Sequence, residues 1–251
     1  MIDIMSNRIN HPSVSQKLLV YLLLTSLVLV MLHVLFKYIS IVIFDEKHGF
    51  LFELSNRLDL NDENSLPQWF TQVIFLVIAF LAYLAYRFTL VNEGSSLWLV
   101  IAGLGVLLSV DDVATLHEFG LQNLHNTFFE DMKSTFLVNS WILLLPFIVA
   151  GLGVLIYKAY RLLPVRTYGL IAVGGVIYVV GAVLVDSLTN NFLGRAFIEQ
   201  GVMGGIEGGL QLIGSAVFLY AIADYLELYH RKQVVAVRNL LKPAPRSKAK
   251  V

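Results

Sequence analysis

The chain has 251 residues, 57% of them apolar and 14% charged, with no cysteine and with 18 Lys+Arg balanced by 18 Asp+Glu. A soluble domain carries about 25% charged residues, so the shortfall points to lipid as the solvent. The absent cysteines exclude disulfide scaffolds, Cys-ligated zinc modules and thiol redox enzymes, and the apolar content excludes a collagenous or disordered chain.

A transmembrane helix needs roughly 20 predominantly apolar residues, and six stretches qualify: 17–44, 68–90, 96–118, 136–159, 168–190 and 203–227. The expected fold is therefore an all-α integral membrane protein, a six-transmembrane-helix bundle over residues 17–229, with a short N-terminus at 1–16 and a basic tail at 230–251. The first apolar run, Leu18 to Phe44, is too long for a signal-peptide core and no small-x-small cleavage site follows it, so it reads as an uncleaved span. His33 within it reads as an incidental interior group. Segment 45–66 mixes Phe50, Leu51, Phe52, Leu54 and Leu58 with charges, which suits either a short amphipathic helix on the outer leaflet or a loop capping the bundle.

In the fourth span Pro146 removes an internal hydrogen bond and predicts a kink. The sixth span carries Gly201, Gly204, Gly205, Gly208, Gly209 and Gly214 with Ser215. Its small-xxx-small patterns assign Gly201, Gly205 and Gly209 to helix packing. His230 reads as an interfacial group. The tail beyond it is basic, contains Pro243 and Pro245, and is expected against anionic lipid headgroups. Topology alone accounts for these charges, so no nucleic-acid partner is expected.

Orientation follows from Lys and Arg in the short loops. With the N-terminus inside, the cytoplasmic side receives 13 of the 18: Arg8, Lys17, Arg87, Lys158, Arg161, Arg166, Arg231, Lys232, Arg238, Lys242, Arg246, Lys248 and Lys250. Lys37, Lys47, Arg57, Lys133 and Arg195 fall outside among many acids. Trp69, Trp98 and Trp141 all fall at predicted interfaces, in agreement. Both termini are expected in the cytoplasm of a bacterial cell, the chain being a multi-pass protein of the inner membrane.

Ionisable groups inside a span cost about 2.5–3.5 kcal/mol on insertion scales and mark a functional site or a buried partner. Here they are Asp111, Asp112, His117 and Glu118 late in the third span, Asp186 with Asn190 late in the fifth, and Glu207 with Gln211 early in the sixth. At 1.5 Å per residue, Asp111, Asp186 and Glu207 lie roughly 21, 27 and 24 Å from the inner face, so they are candidates for one outer-leaflet cavity. Asp111 and Glu118 share a helix face, His125 extends it, and Ser109, Asn190 and Gln211 complete the lining. So many carboxylates in low dielectric require raised pKa values or a bound cation. Oxygen ligands with imidazole suit Zn, Mn or Fe, and oxygen alone suits Mg or Ca. The candidate metal ligands are Asp111, His117, Glu118 and Glu207, and the acid/base candidates are Asp112 and Asp186. A network that shares protons and merely ties the spans together is the structural alternative.

Ser109-x-Asp111-Asp112-x4-His117-Glu118, with Glu207 on a glycine-rich last helix, resembles a loose group of uncharacterised bacterial multi-pass membrane proteins bearing a Ser-x-Asp-Glu-x4-His-Glu motif in a middle span. Asp112 stands where that pattern has Glu. The resemblance covers spans three to six and implies a six-helix bundle without specifying an activity. Ser109 and Asp111 also carry a distant similarity to alkaline ceramidase-like membrane hydrolases, whose Ser, Asp and His residues hold zinc, although the paired late histidines are missing here.

Three functions fit this reading. One is an outer-leaflet carboxylate/His cavity that binds a divalent metal ion and acts on an amphiphilic substrate. Another is a non-catalytic accessory subunit beside partner membrane subunits. The third is a proton-coupled transporter or pH-responsive channel.

Overall fold

The structure, a computed structural model, describes residues 12–43, 49–62, 64–89, 95–114, 145–185 and 197–240, and every regular element among them is helical. Helix α1 (Val14–Lys37) begins at a capping box: the Gln16 N–H donates to the Ser13 hydroxyl, and the Ser13 N–H donates to the Gln16 side chain. It continues through a π-helical turn, Tyr38–Ile43. The short α2 (Gly49–Arg57) occupies the segment where an amphipathic helix was one of two expectations. Ser65 caps α3 (Leu66–Phe88), with Pro67 in its first turn, where a missing N–H is harmless.

Then come α4 (Ser95–Ala114), α5 (Leu145–Leu162) and α6 (Val165–Val179), the last extended by a π-helical turn, Val180–Val185. Pro146 is the second residue of α5, and residues 136–144 of the fourth predicted span lie outside the described residues. A further π-helical turn, Phe197–Met203, leads into α7 (Gly204–Leu240). With 37 residues α7 is about 55 Å long, well beyond a hydrocarbon core of about 30 Å. Residues 230–240, read from sequence as the start of a tail, thus prolong the last helix, and the Glu227–Arg231 i,i+4 pair supports that extension.

Among the described residues four helices are long and apolar enough to cross a membrane: Val14–Ile43, Leu66–Phe88, Val165–Ala182 and Gln200–Val234, with Ser96–Val110 a shorter apolar helix. Their outward faces are apolar too. Leu27, Met31 and Leu35 of α1, Trp69, Val73 and Phe80 of α3 and Val173 and Val176 of α6 are all exposed. Such surfaces suit lipid and not water, and the chain, helical in every regular element among its described residues, is a membrane protein.

Helix α7 is the hub, packing against α1, α3 and α6, while α4 packs on α3 and α5 on α6. The core is built from Ile74, Ile78, Ala82 and Ala85 of α3, Trp98 and Ile101 of α4, Ile171 of α6, and Leu219 and Ile222 of α7. Glycine decides how closely α6 and α7 approach. A Cβ on Gly214 would lie 2.5 Å from the Tyr178 nitrogen and 2.7 Å from the Gly174 carbonyl, and one on Gly174 would lie 2.8 Å from the Phe218 nitrogen. The two backbones therefore touch, as small-residue seams in membranes allow.

Helices α1 and α6 run antiparallel to α7, and α4 antiparallel to α3, whereas α3 runs parallel to α7, and this sorts their ends. Ser15 meets Glu227, Phe88 meets Tyr229, Trp98 stacks on Tyr225 and Arg166 reaches Asp224, so these residues share one end of the bundle. The first described helix starts, and the last continues, at this basic end.

Candidate functional site

At the opposite end, α1 carries a stripe of buried positions: Leu22, Ser26, Leu29, His33 and Lys37, then Ser40 in the π-helical turn. Their spacing of three and four residues is that of one helix face. Two members of this face, His33 and Lys37, are ionisable groups in an apolar run, and the chain between α2 and α3 folds back to meet them.

That returning segment, residues 58–62, is held by three consecutive residues. The Asp59 carboxylate pairs with the Lys37 Nζ at 2.6 Å and lies 3.4 Å from the His33 Nδ1. The Leu60 N–H donates to the His33 Nδ1 at 3.1 Å. The Asn61 Nδ2 donates to the Glu207 Oε2 at 3.5 Å. Since Nδ1 accepts from Leu60, the ring proton sits on Nε2, which donates to the Gln200 carbonyl at 3.1 Å. The imidazole is accordingly neutral and fully buried, and the Lys37 and Asp59 side chains are only 8% and 14% exposed.

The Leu60 side chain packs with Leu29 and Leu212. It occupies the space over Gly208, where an added Cβ would fall 2.6 Å from the Leu60 Cβ. Residues 58–62 thus form a strap across the cleft between α1 and α7. Gly204 accommodates Asn61, Gly205 lies against Val34 and His33, and Gly209 against Val30. Gly201 faces the Phe197 ring and the Lys37 stem. All three π-helical turns among the described residues end or begin at this same end. Such turns recur at functional sites because they break the helical register.

Of the residues singled out in the sequence, Glu207 and Gln211 do meet, the Gln211 Nε2 donating to the Glu207 Oε1 at 3.4 Å. Ser109 is buried on α4. Asp111 and Asp112 belong to the last turn of α4, whose antiparallel run against α3 carries that turn toward the strap end, but their side chains lie outside the described residues. So do His117, Glu118, His125, Asp186 and Asn190. Among the described residues, no group of three or more His, Cys, Asp or Glu side chains could hold a metal ion.

Sequence reasoning overlooked His33, Lys37, Asp59 and Asn61. His33 was read as incidental, and Lys37 and Asp59 as charges of an outer segment. The signal that could have found them is the polar stripe Ser26, His33, Lys37 and Ser40 at helical spacing inside an apolar span. Below the strap, an apolar groove of about 550 Å³ runs between α1 and α7, lined by Leu27, Val30, Val34, Ile206, Leu210 and Ile213.

Chemically, the strap end offers a buried amine, a buried imidazole with one lone pair engaged, and two carboxylates, connected through the strap. Such a set can take up, hold and pass on protons. No curated protein and no solved structure matches the chain. The family model described as Domain of unknown function (DUF8692) matches residues 21–226, which spans the strap, the polar layer and the glycine seam, and the chain belongs to that family.

Proposed function

We propose that the chain is a six-span protein of the bacterial inner membrane, with both termini in the cytoplasm, that works as a proton-coupled transporter or pH-responsive channel through the polar layer at its outer end. The observation that carries this reading is the buried His33–Lys37–Asp59 cluster joined by the strap to Glu207. Ionisable groups at membrane depth are costly and mark proton or ion pathways.

Two further observations support the topology. Ser15 and Glu227 lie together, so the two ends of the described bundle share a side. Arg87, Lys158, Arg161, Arg166, Arg231 and Lys232 all cluster toward that end, as expected of a cytoplasmic face. Lys37 also bears on the choice among functions. It brings into the outer layer a positive charge that a metal ion would otherwise have to supply to the carboxylates, and this favours protons over a bound divalent cation.

The test is proton flux in proteoliposomes enclosing a pH-sensitive dye, driven by a potassium diffusion potential. Uptake should exceed that of protein-free vesicles and fall at least tenfold in Lys37→Met and Glu207→Gln. Wild-type uptake equal to the protein-free rate overturns the proposal. Topology is read separately, by single cysteines introduced at Asn64 and Gln233 of this cysteine-free chain. An impermeant thiol reagent should label only the first in intact cells, and labelling of the second refutes the orientation.

A further inference from the structure

We propose that the strap Leu58–Asp62 is a proton-operated latch, held shut by neutral His33 and released when the imidazole is protonated. The inference rests on the proton reading above and names how that site is regulated.

The argument is one of donor and acceptor count. In the latched state His33 Nδ1 accepts the Leu60 N–H, and Nε2–H donates to the Gln200 carbonyl, so both ring positions are committed. A second proton can go only to Nδ1. That converts the acceptor facing Leu60 into a donor, and two N–H groups then oppose each other at the 3.1 Å now occupied by a hydrogen bond. Leu60 must withdraw. The charged ring has another partner close by, because Asp59 Oδ1 lies 3.4 Å from the same nitrogen.

Protonation thus exchanges Leu60 for Asp59 at Nδ1, and Asp59 divides its charge between His33 and Lys37. A two-state element of this kind is what a histidine switch requires. Leu60 then loses its backbone hydrogen bond to α1, and withdrawal of its side chain from the seat over Gly208 opens the cleft between α1 and α7.

Among the described residues the groups around the switch are few. On α1 the charged neighbour is Lys37, and on the strap it is Asp59, with Asp62 at the strap's end. On α7 Glu207 holds Asn61, and the residue facing Nε2 is the uncharged Gln200 carbonyl. On α2 Arg57 donates to the Asn64 carbonyl and, with Glu53 and Asp62, borders an outer pocket. The cation nearest the ring is therefore held by the acid that would accept the charged ring's hydrogen bond.

The experiment is hydrogen–deuterium exchange of the full-length protein in detergent, following peptides that cover residues 58–62, at pH 8 and pH 5 with the intrinsic pH dependence of exchange removed. Strap exchange in the wild type should rise at least tenfold at pH 5, while peptides of the α6–α7 seam stay unchanged. His33→Gln keeps an acceptor for Leu60 and a donor for Gln200 but cannot take a proton, so its strap should stay protected at both values. His33→Ala should leave the strap unprotected at both. Where that variant fails to fold, Leu60→Gly reports instead, since it keeps the backbone bond but removes the side chain's seat and should raise exchange at pH 8.

A wild-type strap equally protected at both pH values overturns the latch, as does a His33→Gln protein that keeps the full pH response. The two proposals fail separately. A strap that opens in acid in a protein that conducts no protons sustains the latch and refutes the transport function, whereas proton flux through a pH-indifferent strap does the reverse.

Discussion

The two ends of the bundle are both tied by ion pairs, but they are tied in different solvents. At the basic end the Arg166 guanidinium grips Asp224 through Nε at 2.9 Å and Nη2 at 3.1 Å, and Nη2 also donates to the Tyr220 hydroxyl at 2.8 Å. Nearby, Glu227 accepts from the Ser15 N–H and hydroxyl at the start of α1 and pairs with Arg231. The cations there are open to water: Arg166 is 55% and Arg231 61% exposed. At the strap end the cation and the imidazole are buried. A solvated cation that loses its partner recovers hydration, while a buried one does not. The basic end therefore reads as a fastening, and the strap end as a place where a proton changes the structure.

The sharpest way to break this contrast is to remove one buried partner. Lys37→Met or Asp59→Asn should each cost about 3–5 kcal/mol, as uncompensated buried charges do, visible as a large fall of the melting temperature in detergent. The pair Lys37→Met with Asp59→Leu should recover most of that loss, because no charge is then stranded. A loss in the double variant equal to the sum of the two single losses would mean the pair is not electrostatically coupled.

The next effect lies between the two ends, at the seam both depend on. Gly214→Ala forces a methyl between two backbones and should cost about 1–3 kcal/mol. Gly169→Ala, on the same helix pair but with open space around its Cβ position, should be neutral or slightly stabilising. A Gly214→Ala protein as stable as the Gly169→Ala control would show that the helices do not approach this closely.

Smaller still are changes at the basic end. Arg166→Met should cost about 1 kcal/mol once solvent screening is counted, and the loss should shrink in high salt. The strap-end variants should keep theirs, since buried pairs are screened much less. Least of all is Glu227→Gln. It removes from α7 a negative charge that faces the first turn of α1 and should cost about 0.3–1 kcal/mol, measured by the same melting curves. A cost as large as that of Lys37→Met would erase the distinction between the ends.

Much of the fold was legible because the relevant forces are local or one-dimensional. Runs such as Leu18–Phe44 register as spans from hydropathy alone. Glu207 and Gln211 were readable as neighbours because i,i+4 geometry follows from the helix itself. His33, Lys37 and Asp59 were not. Lys37 sits at the end of a span, where a lysine is ordinarily free to snorkel toward water, and nothing in its own helix says that it stays inside. Its burial depends on Asp59, 22 residues on, folding back over it.

What the sequence by itself determined is a membrane-spanning, all-helical chain with a basic and an acid-rich side, because apolar length and charge segregation act residue by residue against lipid and water. Only the tertiary structure decided which charges are buried. It brought Gly174 and Gly214 into a contact between two backbones, and it seated Leu60 over Gly208. It also turned a histidine that reads as incidental in the sequence into the acceptor that holds the strap. Those outcomes depend on which distant segments meet, and a hydrogen bond or ion pair acquires its energy from the water that the meeting excludes.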